Sequence, residues 1–102
     1  MLNDKYAPDG PERVGFILQD DTIIEVENIH DDPENGFRVS GADLARYSEQ
    51  AKATWHTHPD HSKNLSVEDY HAFLLWPDLR HFIVGKNGTA EYFVEKGEVH
   101  VA

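Results

Sequence analysis

Two histidines and a later aspartate carry the clearest sign of chemistry in this chain. His56 and His58 stand two residues apart at the end of a segment, 53–57, whose residue types predict a β-strand. Side chains two apart on a strand point to one face, so the two imidazoles can bind a metal ion together. Asp69 belongs to the sequence Ser-Val-Glu-Asp at 66–69, which has the form of a capping box opening a helix. Three protein ligands with a fourth position left for water are typical of a catalytic zinc site, whereas structural zinc sites have four protein ligands.

Each of these patterns has a simpler explanation when it is taken alone. A Ser-x-x-Asp sequence before an apolar run is usually only a helix cap, and His-x-His pairs occur on surface strands without any metal. The combination of the two favours a metal site. The stretch also continues through Asp60 and His61, which fits the His-x-His-x-Asp-His string of the metallo-β-lactamase family. In that arrangement Asp60 and His61 would bind a second metal and Asp69 would only cap its helix, but the fold needs a longer chain and further ligands downstream.

The elements that must position these residues follow the order ββ-α-β-α-βββ. Apolar runs predict strands at 14–19, 22–27, 53–57, 81–85, 90–94 and 99–102. Helices are expected after Ser40, with an apolar stripe reaching Ala51, and after Ser66, ending near Trp76. The pair Asn87-Gly88 predicts a hairpin between the fourth and fifth strands. The pattern therefore predicts an α/β fold, a mixed sheet with two helices packed on it, in one domain at 11–102 after a flexible leader at 1–10.

Composition excludes several classes of function. A chain of 102 residues is one domain, and without cysteine it has no disulfide, thiolate or Cys-based zinc site. Nineteen acidic residues against nine basic ones give a formal charge of −10, which argues against a nucleic acid partner. The longest apolar run, 72–76, is too short to span a membrane, and the first residues form no signal sequence. We therefore expect a cytoplasmic protein, or one in the host cytoplasm if a phage encodes it.

The histidine, serine and aspartate spacing resembles a known family. His-x-His, seven residues and Ser-x-x-Asp, here His56, His58, Ser66 and Asp69, is similar to the signature of the JAMM (MPN-plus) zinc metalloproteases. That family also places Glu-x-x-Gly at the start of its first strand, where this chain has Glu-Arg-Val-Gly at 12–15. Taken alone, Glu12 would be interpreted as an ordinary exposed acid at a strand start. The resemblance covers nearly the whole chain after residue 10 and is greatest to compact prokaryotic and phage members.

The resemblance implies a fold, a cofactor and a set of roles. The fold would be the compact JAB/MPN sandwich, which is similar to cytidine deaminases. His56, His58 and Asp69 would bind Zn²⁺, Glu12 would act as general base and then acid, and Ser66 would hydrogen-bond the oxyanion. The chain would then be a hydrolase acting on a protein or peptide, with ubiquitin-like proteins among the candidate substrates. The alternative is a catalytically silent MPN-type interaction module, for example a part of a phage tail assembly protein. The oligomeric state is left open by the sequence.

Overall fold

The computed structural model of the chain describes residues 10–58, 65–86 and 88–102, and these form one α/β unit. A six-stranded sheet has the strand order β2-β1-β3-β4-β5-β6. Only the central pair, β3 and β4, is parallel, and the other neighbours are antiparallel, so the sheet is mixed as predicted. The elements along the chain are β1 Val14–Leu18, β2 Ile23–Val26, α1 Gly41–Tyr47, β3 Ala51–Thr57, α2 Val67–Leu74, β4 Arg80–Gly85, β5 Gly88–Glu95 and β6 Glu98–Val101.

The parallel pair at the centre of the sheet decides where the chain changes direction. Parallel strands cannot be joined by a tight turn, so the chain must leave one end of β3, cross a face of the sheet and enter β4 at its other end. The crossover contains α2, and the first turn of that helix therefore lies near the end of β3. This topology brings together the two sequence motifs, although ten residues separate His58 from Asp69.

Both helices pack on the same face of the sheet. That face carries Val14 and Phe16 from β1 and Ile83 from β4, which are almost completely buried. Leu44 of α1 packs against the first two, and Phe73 of α2 packs against Ile83. The apolar stripe of α1 was visible in the sequence, and packing of apolar residues of both helices against the sheet contributes to the stability of the fold.

The opposite face of the sheet depends on a close contact between Gly15 and Trp55. The two residues are paired across β1 and β3, and the indole lies over the glycine to donate a hydrogen bond from Nε1 to the carbonyl of Ile24, 3.2 Å away. A Cβ on Gly15 would come within 2.6 Å of Nε1 and 1.9 Å of that carbonyl oxygen. Position 15 therefore requires glycine because of this close approach.

One expectation about the elements needs correction, and two others concern residues outside the described part of the chain. The apolar stripe that predicted α1 to Ala51 was misleading: the helix ends at Tyr47, and Ala51 begins β3, where it is buried and pairs with Leu18. The sheet ladder outweighs the helix propensity of the intervening Ser-Glu-Gln segment, in which Glu and Gln by themselves favour a helix. Asn87 of the predicted hairpin and residues 1–9 of the predicted leader lie outside the description. In the described part of the chain, no helix combines the length and apolar character that a membrane crossing requires.

Candidate metal centre

The end of β3 holds His56 and His58 on one face because the extended backbone continues past the strand. The amide of Thr57 donates to the carbonyl of Arg13 (2.8 Å), and the amide of His58 donates to the carbonyl of Val84 (2.9 Å). These bonds prolong the two ladders on either side of β3, so the alternation of side chains persists to residue 58. Both histidines are buried: 1% of the surface of His56 and 5% of the surface of His58 is exposed. The predicted pairing of the two histidines on one face is present.

Asp69 reaches the same point from the first turn of α2. Ser66 is the N-cap: its Oγ accepts a hydrogen bond from the Asp69 amide (3.1 Å), and the Asp69 carboxylate accepts one from the Ser66 amide (3.2 Å). This capping box fixes the carboxylate. Oδ2 then lies 2.8 Å from His58 Nε2, and Oδ1 lies 3.1 Å from His56 Nε2. Asp69 is only 3% exposed, so the capping and ligand interpretations of Ser-x-x-Asp are compatible.

Hydrogen bonds cannot satisfy all three contacts among these side chains. The Nε2 atoms of His56 and His58 are also 3.1 Å apart, so these two nitrogens and the carboxylate of Asp69 form a closed triangle. An ionised carboxylate only accepts, and each Nε2 either donates or accepts. If both nitrogens carry hydrogen, two N–H groups face each other; if only one does, the other nitrogen presents a lone pair to a carboxylate oxygen. A cation bound by all three lone pairs removes the conflict, and the donor set therefore fits a metal ion.

The pKa shifts of this triangle favour the protonation states that bind metal. Burial lowers the pKa of His56, although the neighbouring carboxylate opposes that effect, so the neutral imidazole is preferred. Burial alone would raise the pKa of Asp69, but the contacts with the two histidines outweigh it and hold that pKa below its usual range. Neutral imidazole and ionised carboxylate are the forms that coordinate metals.

Glu12 lies beside the triangle and is buried, which corrects the expectation of an exposed acid. Only 6% of the residue is exposed, because its amide is bound to the carbonyl of Pro33 (2.6 Å) and the chain then enters β1. Its carboxylate and the ring nitrogens of His56 and His58 all lie within 4.8 Å of one another, and this buried group could hold a metal ion. The carboxylate of Asp69 approaches both Nε2 atoms to within hydrogen-bonding distance, so the chain offers two candidates for the third ligand.

The pKa of Glu12 is raised to about 7. Burial is the main cause; His58 lowers the value, whereas the carboxylates of Asp69 and Glu68 raise it further. A carboxyl group with a pKa near neutrality can both accept and release a proton at physiological pH. This property distinguishes Glu12 from Asp69, whose pKa is shifted in the opposite direction.

Asn28 organises the loop that encloses Glu12, and the sequence did not assign it a role. Its Nδ2 donates to the carbonyls of Glu12 (2.7 Å) and Gly36 (3.0 Å), while its Oδ1 accepts from the amides of His30 and Arg38, both at 3.0 Å. The side chain of Asn28 therefore hydrogen-bonds two carbonyls and two amides, which lie between positions 12 and 38 of the chain. The sequence signal was weak: a single polar residue after a strand, within a stretch rich in turn-forming residues.

A cleft of about 570 Å³ opens over this cluster. Glu12, His58 and Asp69 line it, as do Ser66 and Glu68 at the start of α2. Ser66 is exposed, and its hydroxyl accepts from a backbone amide, which leaves its hydrogen available to a group in the cleft. The structure thus brings four of the five predicted site residues to one cleft, and His56 lies just beneath them in contact with His58 and Asp69. Asp60 and His61, the residues of the alternative motif, lie outside the described residues.

Comparison with known proteins supports the fold. No protein-family model and no curated protein matches the chain significantly. The solution structure of protein DSY2949 from Desulfitobacterium hafniense, a structural genomics target, is similar with a TM-score of 0.68 at 15% sequence identity. The match covers 96% of this chain and 78% of that protein. At this identity the similarity demonstrates a common fold, and function must be argued from the site.

Proposed function

We propose that the chain is a zinc-dependent metallopeptidase of the JAMM (MPN-plus) type, which hydrolyses a peptide or isopeptide bond in a protein or peptide. The observation that carries the proposal is the triangle of His56, His58 and Asp69, whose three contacts a bound cation satisfies and hydrogen bonds do not. His58 and Asp69 of this triangle line an open cleft of about 570 Å³, where a substrate segment would lie. The finer fold assignment, a JAB/MPN sandwich similar to cytidine deaminases, belongs to the same proposal.

The donor set favours zinc over other common metals. Two imidazole nitrogens and one carboxylate oxygen suit Zn²⁺, whereas Ca²⁺ and Mg²⁺ prefer sites made of oxygen ligands. Three protein ligands leave a position for water, as in catalytic zinc sites. Zinc bound there would make hydroxide available near neutral pH and would polarise a substrate carbonyl.

Glu12 has the position and the pKa of the general base. Its carboxylate lies within 4.8 Å of the histidine nitrogens but makes no hydrogen bond to any described residue, so it remains available to a water molecule. With a pKa of about 7 it accepts a proton from the attacking water and returns it to the leaving amine. Asn28 holds the backbone of Glu12 in place during both transfers.

Ser66 is suited to the oxyanion that forms when the carbonyl carbon becomes tetrahedral. Its Oγ is fixed by the amide of Asp69, so the hydroxyl can donate into the cleft without a change of rotamer. A fixed donor of this kind typically contributes about a hundredfold or more to the rate. The catalytic roles therefore fall to Glu12 and Ser66, and the metal ligands are His56, His58 and Asp69.

The direct test measures zinc content and hydrolysis on the same preparation. Protein made without a His tag should bind about one Zn²⁺ per chain, with an affinity that falls below pH ~6 as the histidines become protonated. The zinc-loaded protein should cleave a ubiquitin-like C-terminal peptide fusion or an isopeptide-linked lysine model, and a chelator should abolish cleavage. Absence of zinc under zinc-replete conditions contradicts the proposal. Stable zinc binding without hydrolysis of any peptide substrate supports the silent interaction module instead.

A further inference from the structure

A second cavity lies behind the metal centre, between the sheet and the two helices. Its volume is about 240 Å³, and the ring of His56 forms part of its wall. Phe16 and Phe73 contribute from the sheet and from α2, and Val39 and Leu44 contribute from the loop before α1 and from α1 itself. The roles described above for the metal centre do not use this cavity.

The interior of the cavity is apolar, although Thr54, His56 and His81 border it and Arg38 lies at its outer end. Thr54 Oγ1 and His81 Nδ1 lie 2.7 Å apart, and His81 Nε2 donates to the carbonyl of Trp76, 3.0 Å away. Both ring nitrogens and the hydroxyl are therefore occupied by one another or by the backbone. A buried water needs two to four polar partners, which this cavity does not offer, so an apolar group is its favoured occupant.

The cavity is connected with solvent and adjoins the cleft. Arg38 and Leu75 line its outer end and are exposed, which gives access from solvent. Phe37 and Ala72 line both the cavity and the cleft, so they form the wall between them. The ring of Phe37 is half-buried and lies 4.4 Å from the ring of His56. The distance between the cavity and a polypeptide lying in the cleft is therefore about the length of one side chain.

We propose that this cavity binds an uncharged aromatic or branched aliphatic side chain of the polypeptide, close to the bond that is hydrolysed. The chemical class of the ligand follows from the cavity itself, whereas its origin in the substrate rests on the proposed function. An engineered cavity of about 150 Å³ lined by apolar side chains binds benzene, so about 240 Å³ is sufficient for a phenyl or isobutyl group. A charged side chain would lose its hydration in the apolar interior, since Arg38, the charged residue that lines the cavity, lies only at its outer end.

The first experiment tests the ligand class without any catalysis. Benzene should bind the metal-free protein and shift the methyl NMR signals of Val14, Val39 and Leu44, whereas benzoate should not. Val39→Phe fills the cavity and should weaken benzene binding at least ~10-fold. Val101→Phe is the matched control, since Val101 is exposed on β6 and does not line the cavity. Benzene that does not bind the wild type, or that binds both variants equally, overturns the cavity as a ligand site.

The second experiment tests whether the ligand belongs to the substrate. Peptides that differ at one residue beside the cleaved bond should be hydrolysed by the zinc-loaded protein with a kcat/KM at least ~10-fold higher for Phe or Leu than for Gly or Asp. Val39→Phe should remove this preference and Val101→Phe should keep it. Benzene binding without any such preference overturns the assignment to the substrate. If no peptide is cleaved, the proposed function fails, and the benzene titration alone then decides the ligand class.

Discussion

The Nε2 atoms of His56 and His58 lie 3.1 Å apart, and both face the carboxylate of Asp69. Two separate local structures produce this relationship. The ladder that continues to residue 58 aligns the histidines, and the capping box at Ser66 fixes the aspartate. Because the two structures are independent, one of the three candidate metal ligands can be changed without unfolding the element that carries the others. Metal binding and folding can therefore be measured separately.

Asp69→Asn should release zinc from a protein that stays folded. The amide keeps an oxygen that can accept from the Ser66 backbone, so the cap is weakened by only ~1 kcal/mol. The negative charge that binds a cation is lost, however, and a neutral amide is a poor zinc ligand. We expect a zinc content near zero by elemental analysis, together with a normal circular dichroism spectrum and a small fall in Tm.

Asp43→Asn is the control, because Asp43 has in α1 the position that Asp69 has in α2, three residues after a serine N-cap. Ser40 Oγ accepts from the amide of Asp43 at 3.1 Å, the same distance as in the Ser66 and Asp69 pair, but the reciprocal bond to the carboxylate is present only in α2. This variant should lose little stability and keep its zinc. Zinc retained by Asp69→Asn, but lost when Asp60 and His61 are changed together to Asn and Gln, would instead support the metallo-β-lactamase arrangement.

Glu12→Gln should abolish turnover and leave zinc bound. Glutamine has the same shape but cannot accept a proton, so kcat should fall about a hundredfold to ten-thousandfold. Glu27→Gln, at an exposed position just after β2, is the control and should be fully active. Loss of zinc from Glu12→Gln would make Glu12 the third ligand, which its position within 4.8 Å of both histidines also permits. Unchanged kcat would exclude it from the reaction.

The order of elements and the grouping of His56, His58 and Asp69 could be predicted because their signals are local. The spacing of His56 and His58 on a strand, and of Ser66 and Asp69 at a helix start, determines geometry within a few residues. The end of α1 could not be predicted in this way, because pairing of Ala51 with Leu18 in the sheet ended the helix before its apolar stripe did.

Glu12 and Asn28 show why the rest of the site could not be predicted from local patterns, so that only the family resemblance pointed to Glu12. Burial of Glu12 results from contacts with residues 28–36, which are irregular loop residues without periodicity. The four backbone bonds made by Asn28 depend on the conformation of that loop, and nothing in the residue types fixes it. Long-range contacts of this kind follow from the tertiary fold, so Glu12 alone was misinterpreted as exposed.

Asn28→Asp should loosen the loop around Glu12. The substitution keeps Oδ1 as an acceptor but replaces two donated hydrogen bonds by repulsion between a carboxylate and the carbonyls of Glu12 and Gly36. We expect a loss of about 2–3 kcal/mol in the free energy of unfolding. Asn35→Asp removes a single exposed bond to Asp32 and should have little effect in the same urea titration. Equal stability of the two variants would show that Asn28 does not organise the loop.

Gly15→Ala should destabilise the fold far more than an ordinary glycine substitution. The added Cβ would collide with the carbonyl of Ile24 and the indole of Trp55, and the carbonyl cannot move without breaking the β1–β2 ladder. We expect a loss of ~2 kcal/mol or more, seen also as a change in Trp fluorescence. Gly41→Ala, where nothing lies within 4 Å of the new Cβ, should be neutral or slightly stabilising. Similar unfolding curves for the two variants would contradict the close contact.

His81 should make stability depend on pH between about 4 and 6.5. Burial lowers its pKa to about 4 in the folded protein, against the opposing effect of its bond to the Trp76 carbonyl, whereas an unfolded histidine has a pKa of 6.5. Within this window the unfolded chain binds the extra proton, so stability rises with pH. The contribution of His81 is complete above pH ~6.5 and is lost as the pH falls towards 4.

His81→Phe tests this contribution because phenylalanine can keep the stacking on Phe73, where the rings are 4.2 Å apart. The variant loses the hydrogen bonds to Thr54 and Trp76, which lowers its stability by a roughly constant amount at each pH. The stability difference between wild type and variant should therefore shrink as the pH falls from 6.5 to 4. Val67→Phe, at an exposed position on α2, introduces a ring without removing a titratable group and should give a constant difference. A constant difference for His81→Phe as well would mean that His81 is already able to accept a proton in the folded protein at its ordinary pKa.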